Sequence, residues 1–139
     1  MKLAAKWHKA VVHYVKLLRL SEWDIETNIG KLSGGRGAEI TFSSGEKRAV
    51  IILADDAILE SGYHTETRSD TVYQAFGTTL DFLAAHEVVH VLVQPYDYAV
   101  SVAIEGQCKF VKEALSHEAE ILVSSMARLL AALSPSGVR

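Results

Sequence analysis

The chain has 139 residues, 49% of them hydrophobic and 22% charged, and its formal net charge is −3. That balance excludes a disordered chain, and the length suits one globular domain, 1–139, able to bury a core without staples. No basic block marks a nucleic-acid surface, and no run approaches the ~20 apolar residues of a membrane span, so neither nucleic acid nor membrane is an expected partner.

The single cysteine, Cys108, has no partner for an intramolecular disulfide. It fits a reducing compartment and reads as a small buried hydrophobe. Lys2, Lys6, Lys9 and Lys16 interrupt any apolar signal core. A cytoplasmic location is therefore expected.

Trp7, Val11, Tyr14, Val15 and Leu18 recur at helical spacing and predict an N-terminal helix over Leu3–Arg19. His8 and His13 on it lack ligand-spaced partners and read as surface or cap-side residues. Trp23–Ile29 alternates as a strand does. Gly30–Gly37 is a glycine-containing loop without a phosphate-binding pattern. Ala38–Phe42 and the more apolar Arg48–Ala54 are two further strands around the turn Ser43–Glu46, which suggests a hairpin. Asp55–Gly77 reads as a short helix or an irregular flap. A helix then runs through Asp81, His86 and His90 to about Val93. Thr78 or Thr79 is its cap, with a start near Asp70 as the alternative, and Pro95 marks its end. Ala99–Val111 has no decisive pattern, and a final helix covers Lys112–Leu133 ahead of Pro135. The expected class is α+β: an N-terminal helix, a small, mainly antiparallel three-stranded sheet, a motif helix and a C-terminal helix.

The chemistry is concentrated in His86-Glu87-Val88-Val89-His90. Histidines four apart on a helix share a face one turn apart and can reach one ion. Zinc takes nitrogen ligands at ~2.0–2.1 Å and keeps a position for water in catalytic sites. Glu87 is then placed to take that water's proton and pass it to a leaving amine.

A third ligand is needed, and the last helix offers His117, Glu118 and Glu120. On a wheel at ~100° per residue, Leu115, Leu122, Val123, Met126, Leu129, Leu130 and Leu133 define an apolar face. Glu118 lies ~70° from its centre, Glu120 ~130°, and His117 nearly opposite. Glu118, at the edge of that face, is the expected third ligand, with Glu120 in reserve. Tyr96, Tyr98, His64 and His117 are candidates for contact with substrate or with the oxyanion of a tetrahedral intermediate.

Taken with these motifs, the chain resembles the compact zincin-type metallopeptidases of the gluzincin kind, often encoded by phages and prophages. The resemblance runs through Trp23-Asp24-Ile25, Gly37-Ala38-Glu39-Ile40, Ala49–Leu53, His86–Val93, Glu118–Leu122 and Ala127–Leu130. Members commonly carry a glutamate in the last helix ahead of paired aliphatics, a pattern Glu118 matches with Ile121 and Leu122. The longer segment between Asp55 and Thr78 departs from the family, and so does Val89, which stands where glycine often precedes the second histidine. The resemblance implies a zincin-like fold, one Zn2+ on His86, His90 and Glu118, Glu87 as general base, and a peptide or protein substrate. The alternative expectation is a non-catalytic zinc-binding protein of regulatory or structural role that keeps the fold. These patterns specify neither a cleavage sequence nor an oligomeric state.

Overall fold

A computed structural model describes residues 2–34, 36–43, 45–57 and 79–138, together with the backbone of 63–68 and 71–76. Helix α1 spans Leu3–Leu17 and buries Trp7, Ala10, Val11 and Tyr14, the residues at helical spacing. It ends two residues earlier than its periodicity suggests. Arg19 turns to φ 55, its N–H bonds the Lys16 carbonyl, and the Leu20 N–H bonds that of Val15. That paired closure satisfies the last carbonyls and stops the helix.

Strands β1 (Asp24–Gly30), β2 (Ala38–Phe42) and β3 (Arg48–Ala54) form one sheet in the order β1-β3-β2. The β2–β3 pair is the expected hairpin, with Ala38 opposite Leu53 and Phe42 opposite Ala49. The sheet is mixed rather than mainly antiparallel, because β1 pairs with β3 in parallel, from Asp24–Arg48 to Gly30–Ala54. Alternation of side chains reports a strand's faces and not its direction, so this pairing was invisible in the pattern. The chain leaves β1, passes to the far side of β3 and lays down β2 at the edge.

Ala49, Ile51 and Leu53 turn one face of β3 to the helices and are fully buried. The Trp7 indole N–H reaches the Ile51 carbonyl at 3.4 Å and ties α1 to this strand. The segment read as a short helix or flap contains a second, two-stranded antiparallel ladder, β4 (Tyr63–Arg68) with β5 (Thr71–Phe76).

Helix α2 covers Leu80–Ala103. Thr79 caps it, its hydroxyl oxygen accepting from the Phe82 N–H at 3.0 Å, as the sequence suggested for one of two threonines. Ala84, Val88 and Val91 belong to the core formed with α1 and the sheet. The helix does not end at Pro95 but passes through it. An internal proline removes one hydrogen bond and costs about 3 kcal/mol, and the turns beyond it, residues 96–103, are exposed. The next helix, α3 (Lys109–Leu133), starts three residues before its expected boundary and packs on α2. Cys108 is its N-cap residue and lies exposed in the interhelical turn, not in the core as expected.

Candidate metal centre

α2 presents its core face to α1 and the sheet, and the neighbouring face, carrying His86 and His90, to α3. Side-chain exposure is 6% for Glu87, 16% for His86 and 21% for His90. Ligand atoms of the three lie within 4.8 Å of one another, so the group could hold a metal ion. The imidazoles meet edge to face with centroids 4.9 Å apart, and Phe82, one turn earlier, stands 5.8 Å from His86.

The carboxylate that α3 brings to the pair is that of Glu120. Its Oε1 lies 2.7 Å from His86 Nε2 and its Oε2 lies 3.4 Å from His90 Nε2. Glu118, the first choice from the sequence, is exposed and makes no such contact. The error is one of helix phase. The residues of α3 that are buried are Val123, Ala127 and Ala131, while Leu115, Leu122, Leu129 and Leu133 are exposed. Measured at ~100° per residue, Glu120 sits ~20° from the centre of the packed face and Glu118 opposite it.

His86 Nδ1 donates to Glu87 Oε1 at 3.1 Å and its Nε2 donates to Glu120. Donation from both ring nitrogens requires the protonated imidazole. Burial pushes the His86 pKa down, but the hydrogen bond and charge of Glu87, then those of Glu120, outweigh it and leave the pKa above the ordinary histidine value. Among the described residues, neither Glu87 nor Glu120 pairs with a lysine or arginine. Two carboxylates converging on two imidazoles form a donor set suited to a divalent cation, which would take the place of the Nε2 proton.

The group lies in a cleft of about 670 Å³. Arg36–Ile40, including most of edge strand β2, forms one wall, and Phe82, Leu83 and the motif residues form another. Glu120, Ser124 and Arg128 of α3 complete it. Gly37 lets β2 approach α2, since a Cβ there would meet Leu83 Cδ2 at 3.1 Å. The Arg128 guanidinium lies 5.6 Å from the centre of the Phe82 ring, in the range of a cation–π contact. The sequence reading did not single out Ser124 or Arg128. Their signal was present, since 120, 124 and 128 repeat every four residues on one helix face.

The other candidates do not gather here. Tyr96 and Tyr98 are 74% and 67% exposed on the second half of α2 and do not border the cleft. His117 is exposed and borders a small neighbouring pocket with Glu120 and Arg128. His64 is on β4, and its side chain lies outside the described residues. His8 shares a hydrogen bond with the Thr27 hydroxyl and His13 donates to the Ser134 carbonyl, both at 2.9 Å, so each has a structural partner. No helix among the described residues is long and apolar enough to cross a membrane. Comparison with protein-family models, curated proteins and solved structures finds no match for the chain.

Proposed function

We propose that this chain is a zinc-dependent peptidase in which Glu87 is the general base. The observation that carries the reading is the convergence of His86, His90 and Glu120 beside buried Glu87 in an open cleft. His86 and His90 would hold the ion through imidazole nitrogen, and Glu120 through its carboxylate. A bound zinc ion would supply the concentrated positive charge that makes water more acidic and polarises a carbonyl.

The protein's own groups do the rest. A Glu87 carboxylate oxygen takes a proton from the attacking water as its oxygen bonds to the scissile carbonyl carbon. The same carboxyl then delivers that proton to the amine nitrogen as the C–N bond breaks. The apolar wall behind Glu87 keeps that carboxylate out of bulk solvent. Among the described residues β2 is paired by β3 on one side of it, and its residues border the cleft. An extended peptide added to the other edge of β2 would run past the histidines, the strand-addition mode of peptide binding.

The test compares wild type with Glu87→Gln on an unbiased peptide library, with metal content measured for both. The variant should keep its metal and fold yet lose ~10²–10⁴-fold in cleavage rate, the usual contribution of general acid–base catalysis. A chelator should silence wild type. Equal cleavage by the two proteins would defeat the proposal. Metal in both with cleavage by neither would favour a non-catalytic metal-binding protein instead.

A further inference from the structure

One positive charge on the cleft wall has no part in holding the ion. Arg128 borders the cleft from α3, about two turns beyond Glu120. Its guanidinium carbon stands 5.6 Å from the centre of the Phe82 ring. The same ring stands 5.8 Å from the His86 imidazole, so the guanidinium lies no more than about 11 Å from the first histidine. The Arg128 end of the cleft is the end at which β2 begins, because Gly37 approaches Leu83, the neighbour of Phe82. A peptide laid along β2 would pass the histidines and Arg128 in turn.

The other charges on this wall already have opposite numbers. Arg36 pairs with Glu39 at 3.2 Å. Glu87 and Glu120 face the imidazoles and would serve the ion and its water. Among the described residues, Arg128 makes no ion pair. An aromatic ring attracts a cation through its quadrupole and restrains it, but carries no charge to neutralise it. The group whose shape and charge answer a guanidinium is a carboxylate, which two parallel N–H donors of the fork can hold at once.

We propose that Arg128 determines specificity by receiving a carboxylate of the substrate, either an Asp or Glu side chain or a free C-terminus. The inference rests on the peptidase reading and adds the class of peptide to it. An extended chain advances ~3.3 Å per residue, so the recognised carboxylate belongs to a residue within about three of the scissile bond. The chain as a whole carries a net charge of −3, so no general attraction draws acidic peptides to it. The preference arises from one short-range contact and is therefore tied to position.

A peptide series tests this, with a single Glu or Gln placed at each position of a neutral sequence and every peptide made with a free and an amidated C-terminus. With zinc-loaded wild type, kcat/KM should be ~10–100-fold higher for Glu than Gln at one position, or for the free over the amidated terminus, which tells the two sources apart. Arg128→Gln should erase that difference and cleave the neutral peptides as wild type does. Arg128→Lys, which keeps the charge but not the fork, should retain part of it. Arg128 is exposed, so both variants should match wild type in circular dichroism and zinc content. Binding is read separately, by fluorescence anisotropy of the labelled peptides with Glu87→Gln protein, alone and combined with Arg128→Gln. Cleavage or binding without a carboxylate preference overturns the proposal, and so does an Arg128→Gln loss that falls equally on acidic and neutral peptides. Binding with an Arg128-dependent preference but no cleavage by wild type would sustain the site and defeat the peptidase reading. Neither binding nor cleavage of any peptide would defeat both.

Discussion

Two carboxylates two residues apart on α3 have opposite surroundings. Glu120 touches both imidazoles, and Glu118 stands exposed on the side of the helix away from them. The residue that matters for metal should follow that placement. Glu120→Ala should weaken zinc binding by more than the ~10–100-fold typical of losing an outer-shell partner, while Glu118→Ala should leave it unchanged. Isothermal titration with zinc reads both, and the reverse ranking would move the third ligand to Glu118. The histidines and Glu87 were legible in the sequence because His-x-x-x-His fixes relative position within a single helix. Glu120 was not, because its selection depends on which side of α3 meets α2.

At the scale of the elements, α2 does two jobs. Its first half carries the motif and fills the core, and its second half, beyond Pro95, is a partner for α3. The motif lies only a few residues from the helix start, so the Thr79 cap helps hold the turn from which His86 projects. Thr79→Ala should cost about 1 kcal/mol, within the ~0.5–2 kcal/mol typical of a lost N-cap, and leave metal stoichiometry unchanged. Denaturant unfolding with a parallel metal assay would show this, and a loss of metal without a loss of stability would contradict it. Pro95 shows the limit of a local rule. Proline removes a hydrogen bond from the helix ladder, yet α2 continues past it in exposed turns that border a pocket with Leu115, Ala119 and Val123 of α3. The second ladder, β4–β5, escaped notice. In β4, Thr, Glu and Arg alternate without the apolar side that makes a half-buried strand recognisable, whereas β5 carries Val72, Tyr73 and Phe76 and was a legible strand signal.

For the molecule as a whole, α1, the sheet and the first half of α2 share one core, to which α3 contributes chiefly Ala127, with Leu130 partly buried against it. A ligand set drawn from α2 and α3 would therefore brace the least anchored element. Saturating zinc should stabilise the chain by about 4 kcal/mol at a free concentration of 1000 times Kd, and chelation should reverse it. Hydrogen exchange should rise in α3 before α1 on chelation, since metal loss releases the helix whose other support is packing on α2. An unchanged melting temperature in His86→Ala on adding zinc, beside a rise in wild type, would assign the effect to this site.

The sequence by itself determined that a helix carries His86, Glu87 and His90 on adjoining faces, that a threonine caps it, and where three strands lie. Each of these is set by spacing within a few residues, and local geometry does not change with the rest of the fold. Only the tertiary structure decided that β1 runs parallel to β3, that α2 continues past Pro95, and that Glu120 rather than Glu118 meets the histidines. The last follows from size. Val123, Ala127 and Ala131 let α3 approach α2 closely, whereas the larger Leu122, Leu129 and Leu133 remain outside. A helical wheel weighted by hydrophobicity favours the leucines, but close packing of two helices selected the smaller side chains.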